Sequence, residues 1–315
     1  MIFIVQLFYL LQIQHQKFMK IIFKFCLLLL INIVLLTSAN AQINWKQAGK
    51  QSFMFTNNGK LKNPLKVFYY NPEPNGDSLP IVILMHGAKR NPSGYMDDLI
   101  AAANVFHCKI IAPEFDTKNY PGADGYNSGN VYNKKDNFFN APEAWSFSLI
   151  EPLFDYVVKE SNSISKAYYL YGHSAGGQFV HRYLTFVPNN RVIKAAAANA
   201  GWYTLPSYSI SFPFGLNKAQ IPENNLKEMF HKKVFILVGE ADTDTTSPDF
   251  NDSPQANQQG INRFERGKYY FNACKNKAAE MKTNFNWTQL FIPNIGHNNK
   301  EMGKFAFSLF FMDIH

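Results

Sequence analysis

Cysteine is scarce in this chain: three in 315 residues. A small fold stapled by several disulfides is therefore excluded. No CxxC pair and no Cys/His cluster at metal-ligand spacing occurs, so the sequence offers no metal site. Cys108, at the entry to a strand, and Cys274, late in a distant helix, are expected to stay unpaired. The formal charge is +8, but no run of five or more like charges occurs, so nothing points to nucleic acid. Internal repeats, low-complexity tracts and linkers are also missing, which favours one domain.

Acidic residues are absent from positions 1–41. Met19-Lys20-Ile21-Ile22-Phe23-Lys24 reads as a positive n-region, Cys26 to Leu36 as an apolar h-region interrupted by Asn32, and Ala39-Asn40-Ala41 as a small-residue cleavage site. The apolar run is short for a membrane span. Residues 1–41 are thus expected to be a leader and signal peptide, with Met19 as an alternative start and Gln42 as the first mature residue. Residues 42–315 are then one domain with no stable membrane anchor, secreted or periplasmic. Lys17, Lys20 and Lys24 leave with the leader, so the remainder carries 28 basic and 23 acidic residues, a net of +5.

What is present is apolar: 46% of residues, with 29 Phe and 16 Tyr, enough for a large core. Ser52 to Phe55 and Leu65 to Tyr70 read as antiparallel strands around an Asn57-Asn58-Gly59 turn. Unbroken apolar runs follow at Ile81–Met85, Cys108–Ala112, Ala167–Tyr171, Val192–Ala197, Val234–Val238 and Trp287–Ile292. Such runs suit strands covered on both faces, as in a parallel sheet. Helices are expected at Tyr95–Asn104, Pro142–Lys159, Ala175–Phe186, Phe264–Lys282 and Glu301–Phe311. Strands alternating with helices predict an α/β fold: a doubly wound, mostly parallel sheet with helices on both faces. Phe115–Asn140 and Tyr203–Lys232 are left as long loops, which in compact domains carry function or motion.

Gly172-His173-Ser174-Ala175-Gly176 lies between a predicted strand and a predicted helix. That is the setting of a nucleophile elbow, where a serine sits on a sharp strand-to-helix turn above the sheet. Glycines two residues either side remove side chains that would collide there, and the helix N-terminus favours developing negative charge. Ser174 is the candidate nucleophile, and the N–H of Ala175 a candidate oxyanion donor. The chain order of such sites puts an acid next and a histidine last. Gly239-Glu240-Ala241-Asp242 follows one strand, making Asp242 the first candidate acid, with Asp244 competing and Glu240 closer to the strand. Pro293-Asn294-Ile295-Gly296-His297 follows the last strand, making His297 the candidate general base. His86-Gly87-Ala88 closes an earlier strand, and the Ala88 N–H is the second candidate oxyanion donor. His86 is expected to be structural, and the His173 side chain to point into the sheet or the elbow. Trp202 and Tyr203, just past a strand end, are candidate substrate contacts. Phe138, Phe139 and Trp145 are expected near the same aromatic cleft, and Pro121–Asn133 as its lid or as plain surface.

On His86-Gly87, Gly172-His173-Ser174-Ala175-Gly176-Gly177, Asn199-Ala200-Gly201-Trp202, Gly239-Glu240-Ala241-Asp242 and Gly296-His297, the sequence resembles the α/β-hydrolase superfamily. Within it, the chain is similar to the secreted poly(3-hydroxybutyrate) depolymerase and feruloyl-esterase-like group, from about Leu65 onward. It departs from the polymer depolymerases in having no separate binding domain or linker. The resemblance implies a cofactor-free serine hydrolase acting on a small-molecule or oligomeric ester. A serine peptidase of the same fold and a catalytically silent binding protein are the alternative expectations.

Overall fold

The computed structural model describes residues 43–312 and seven residues between positions 15 and 24. The chain divides into two units, Met1–Ile43 and Asn44–His315. The described residues of the first unit before position 25 are helical, and the expected cleavage site at Ala39-Asn40-Ala41 lies outside the described residues. Among the described residues no helix is long and apolar enough to cross a membrane.

The second unit is built on eight strands: β1 (Gly49–Phe55), β2 (Leu65–Asn71), β3 (Ile81–Met85), β4 (Lys109–Pro113), β5 (Tyr168–His173), β6 (Val192–Ala198), β7 (Lys233–Gly239) and β8 (Trp287–Ile292). Their order across the sheet is β1-β2-β4-β3-β5-β6-β7-β8. Pairing is antiparallel at β1–β2 and β2–β4 and parallel everywhere else. The turn between β1 and β2 is set by Asn57, Asn58 and Gly59, all at positive φ. The unbroken apolar runs are strands buried on both faces: every residue of β3 and β4 is buried.

Helices α1 (Pro92–Val105) and α6 (Asn299–Phe311) cover one face. Met96, Leu99, Met302 and Phe307 there meet Val82, Leu84, Ile110 and Leu237. On the other face lie α3 (Ala175–Phe186) against β5 and β6, and α5 (Arg263–Glu280) against β7. Two further helices, α2 (Ile150–Glu160) and α4 (Glu223–His231), complete the layers.

Three local expectations are corrected. The helix predicted over Pro142–Lys159 is two single 3₁₀ turns followed by α2. Trp145 breaks it, because its backbone is extended and its indole Nε1–H donates to the Asn140 carbonyl at 2.8 Å. The loop Tyr203–Lys232 contains α4, whose buried Leu226, Met229 and Phe230 follow helical spacing. α1 begins three residues early, at Pro92, because Asn91 caps it by accepting from Gly94 N–H at 2.9 Å. Cys108 and Cys274 are both buried and free, as expected.

Register carries this fold to function. Met85 pairs with Gly172, His173 with Ala198, and Ile292 with Gly239. The carboxyl ends of β3, β5, β6, β7 and β8 therefore reach one edge of the sheet, where α/β folds place their sites.

Candidate active site

Ser174 leaves the end of β5 with φ 60° and ψ −120°, a strained backbone for a non-glycine residue. Its N–H is held by the Ala198 carbonyl at 2.9 Å, and its carbonyl accepts from Gln178 N–H at 3.0 Å. A Cβ on Gly172 would run into the Gly176 carbonyl, and one on Gly176 into the Met85 carbonyl. Only glycine lets α3 start this close to β3 and β5. Ala175 is the first residue of α3, so its N–H has no partner within the helix. Ala88, Ser174 and Ala175 line one cleft of about 970 Å³.

The loops after β7 and β8 are bonded to each other. Glu240 N–H donates to the Ile292 carbonyl and Ala241 N–H to the Ile295 carbonyl, each at 3.0 Å. Asn199, at the end of β6, joins both loops: its Oδ1 accepts from Gly239 N–H at 2.8 Å, and its Nδ2 donates to the Gly296 carbonyl at 3.0 Å. The chain around Asp242 and the chain around His297 are thus positioned by one side chain.

Asp242 is buried, and its Oδ2 meets His297 Nδ1 at 2.7 Å. Its Oδ1 faces the buried Arg263, whose Nη1 is 3.4 Å away and also donates to the Asp244 carbonyl at 3.1 Å. The His297 side chain keeps 31% of its surface exposed, so its far edge is reachable. Asp244 points elsewhere. Its carboxylate accepts from the Thr246 N–H and hydroxyl, which hold it below the usual carboxylate range. Glu240 is exposed. Of the three acids considered, the geometry pairs Asp242 with His297.

The cleft walls come from excursions off the sheet. Gly122–Asp124 and Asn127–Ser128 form one, and Trp202 with Ile210–Phe214 another. Trp202 does line the cleft, backed by the buried Arg182 guanidinium 4.2 Å from its ring. Arg182 donates to the Asn127 carbonyl and the Thr204 hydroxyl, tying the two walls together. Burial lowers its pKa to about 9, against the opposing pull of Asp124.

Tyr203 is a correction. The chain turns inward after Trp202, so Tyr203 is fully buried, stacked on Tyr270 at 4.3 Å, with its backbone clamped by Gln259. It is core, not a substrate contact. Phe139 and Trp145 likewise pack behind the wall, against Phe212 and Phe186, and do not line the cleft.

His86 is structural, as expected. Its Nδ1–H donates to the Gly87 carbonyl at 3.0 Å and its Nε2 accepts from Phe115 N–H at 3.2 Å. Burial pushes its pKa down to about 4. His173 does not simply disappear into the sheet: its buried ring lies 4.5 Å from that of His297. Tyr95, Arg263, Arg182 and Arg90 were not singled out from sequence. Each reaches the site through long-range packing that leaves no local motif, whereas Asn199 opens the Asn199-Ala200-Gly201-Trp202 segment, in which nothing local marks its role.

A hydroxyl raised on a strained elbow, an N–H at a helix start and an imidazole held by a buried carboxylate supply what acyl transfer needs. Comparison with known proteins agrees. No family model and no curated relative matches the chain. Among solved structures, poly(aspartic acid) hydrolase-1 from Sphingomonas sp. KT-1 is 38% identical, with a TM-score of 0.79 over 84% of this chain and 98% of that one. LpqC, a poly(3-hydroxybutyrate) depolymerase from Bordetella parapertussis, is 31% identical, also at 0.79, over 84% and 91%. An S-formylglutathione hydrolase from Agrobacterium tumefaciens, at 15% identity and a TM-score of 0.56 over 83% and 92%, shares the fold. The chain belongs to the α/β-hydrolase superfamily, in the group of serine hydrolases similar to the first two of these enzymes, and it is a hydrolase.

Proposed function

We propose that the chain is a secreted carboxylic ester hydrolase working through Ser174, His297 and Asp242. Ser174 Oγ attacks the ester carbonyl while His297 Nε2 takes its proton. The Ala88 and Ala175 N–H groups receive the oxyanion. The C–O bond to the alcohol then breaks, and the alcohol leaves with the proton from His297. Water, activated by the same imidazole, releases the acid and restores Ser174. Asp242 holds His297 in the tautomer that leaves Nε2 free to accept.

The observation that carries this reading is the 2.7 Å Asp242–His297 bond beside the Ser174 elbow. Short-chain p-nitrophenyl esters are expected to be hydrolysed, and Ser174→Ala to abolish the turnover. Unchanged turnover in that variant would remove the assignment. Export is read from the leader, and an exported protein whose first residue is Gln42 would bear it out.

One observation favours amide substrates as a second reading: the 38% identical relative is named for hydrolysing poly(aspartic acid). Arg90 lines the cleft with its guanidinium bonded to the Phe115 and Gly122 carbonyls and, among the described residues, to no carboxylate. It is available to an acidic chain. The ratio of ester to acidic-peptide turnover separates the two readings.

A further inference from the structure

Two imidazoles stand beside Ser174, and only one is bonded to a carboxylate. His297 has Asp242. His173, the residue before the nucleophile, is buried; its Nδ1 lies 3.2 Å from Tyr95 Oη and its Nε2 has no hydrogen-bond partner. A neutral imidazole carries one N–H and one free lone pair.

The surroundings of Tyr95 decide the matter. Its hydroxyl lies against Gly87, beside Ala88, and its side-chain hydrogen-bond partner is His173 Nδ1. Burial raises its pKa far above the usual phenol value, so the hydroxyl keeps its proton. That proton needs an acceptor, and His173 Nδ1 is 3.2 Å away.

We propose that Tyr95 and His173 are a positioning pair for the base: Tyr95 donates to His173 Nδ1, which fixes His173 as the neutral Nε2–H tautomer, and that ring packs against His297. This rests on the reading of Ser174 and His297 as nucleophile and base. Three groups face His173: Tyr95 from α1, His297 from the loop after β8, and Arg263 from α5. Burial first, then His297 and Arg263, hold it well below the ordinary histidine pKa. It therefore adds no second positive charge when His297 takes its proton. The pair also packs three segments of the site together, from the loop at Gly87 through the elbow to His297.

The test is ¹⁵N NMR of histidine-labelled wild-type protein, with the His173 signals assigned by their loss in His173→Gln. His173 should appear as the Nε2–H tautomer and not titrate between pH 5 and pH 9, a range set around the ordinary histidine value of about 6.5. In Tyr95→Phe the two nitrogen shifts should move toward a mixed tautomer. In the same variant kcat on a p-nitrophenyl ester should fall about tenfold with KM little changed, because a misplaced base slows chemistry more than binding. His173→Gln, whose amide oxygen can accept from Tyr95, should keep more kcat than His173→Leu. A wild-type His173 found as the Nδ1–H tautomer, or titrating at the ordinary value, overturns the pair whatever the variants do. Unmoved shifts and kcat in Tyr95→Phe also overturn it. The tautomer is read without turnover, so a failure of Ser174 to react would count against the function and not against this assignment of hydrogen.

Discussion

The floor and the walls of the cleft are held by different means. Ser174, Ala88, Asp242 and His297 each follow a strand whose register is locked by parallel neighbours. Their loops are then bonded backbone to backbone and through Asn199. The walls leave the sheet for many residues; each is turned by its own backbone bonds, but single side chains tie the walls to one another and to the layer below. Arg182 bridges Asn127 and Thr204, Arg90 holds Gly122, and Asn127 Nδ2 donates to Gln178 Oε1. The chemistry is fixed by sheet ladders, and the placement of the walls around the substrate by local turns and a few side-chain ties. Floor substitutions should therefore act on kcat, and wall substitutions on KM and substrate choice.

The largest separation is expected inside the floor. Asp242→Asn should lower kcat by about 10³ to 10⁴, since the wrong tautomer of His297 is then favoured. Asp244→Ala, two residues on and with a carboxylate bonded only to Thr246, should stay within about twofold. Equal losses in the two variants would undo the pairing of Asp242 with His297. Next comes Asn199→Ala, which leaves Gly239 N–H without its acceptor and the Gly296 carbonyl without its donor. It should cost about 1–3 kcal/mol in urea unfolding and roughly tenfold in kcat. A stability loss with kcat intact would show that the two loops do not need this link. On the wall, Trp202→Ala should raise KM by about tenfold with kcat held within about twofold. A kcat loss as large as that of the floor variants would erase the distinction between the regions.

The smallest effect is on stability against pH. His86 titrates near pH 4 in the fold and near 6.5 when unfolded, and burial moves His173 and His181 in the same direction. As pH falls below about 6.5 the unfolded chain takes up protons first. Stability present above that pH should therefore decline until it passes about 4. Urea midpoints read at pH 7, 6, 5 and 4 should fall in that order. His86→Gln should flatten part of the slope, and a midpoint independent of pH would contradict the neutral burial of these rings.

The floor was legible in the sequence because strand ends and Gly-x-Ser-x-Gly are local signals. The elbow, the acid after β7 and the histidine after β8 needed only chain order. Sequence left Asp242 and Asp244 open, since the choice depends on which carboxylate turns inward; Arg263 from a distant helix meets the Asp242 carboxylate but only the backbone carbonyl of Asp244. Tyr203 was misread because adjacency to Trp202 says nothing about which of two neighbouring rings faces the cleft. α4 was readable from the spacing of Leu226, Met229 and Phe230, yet it was masked by the prolines and polar residues before it. The Tyr95–His173 contact joins positions 78 apart and could be found only in three dimensions.

The central claim is that Ser174 is the nucleophile. Its direct test is to treat the folded protein with a fluorophosphonate and map the adduct by peptide mass spectrometry, alongside Ser174→Ala. One adduct is expected, on the peptide carrying Ser174, together with loss of ester turnover and no adduct in the variant. An adduct on another residue, or none on folded wild-type protein that still turns over esters, would contradict the account.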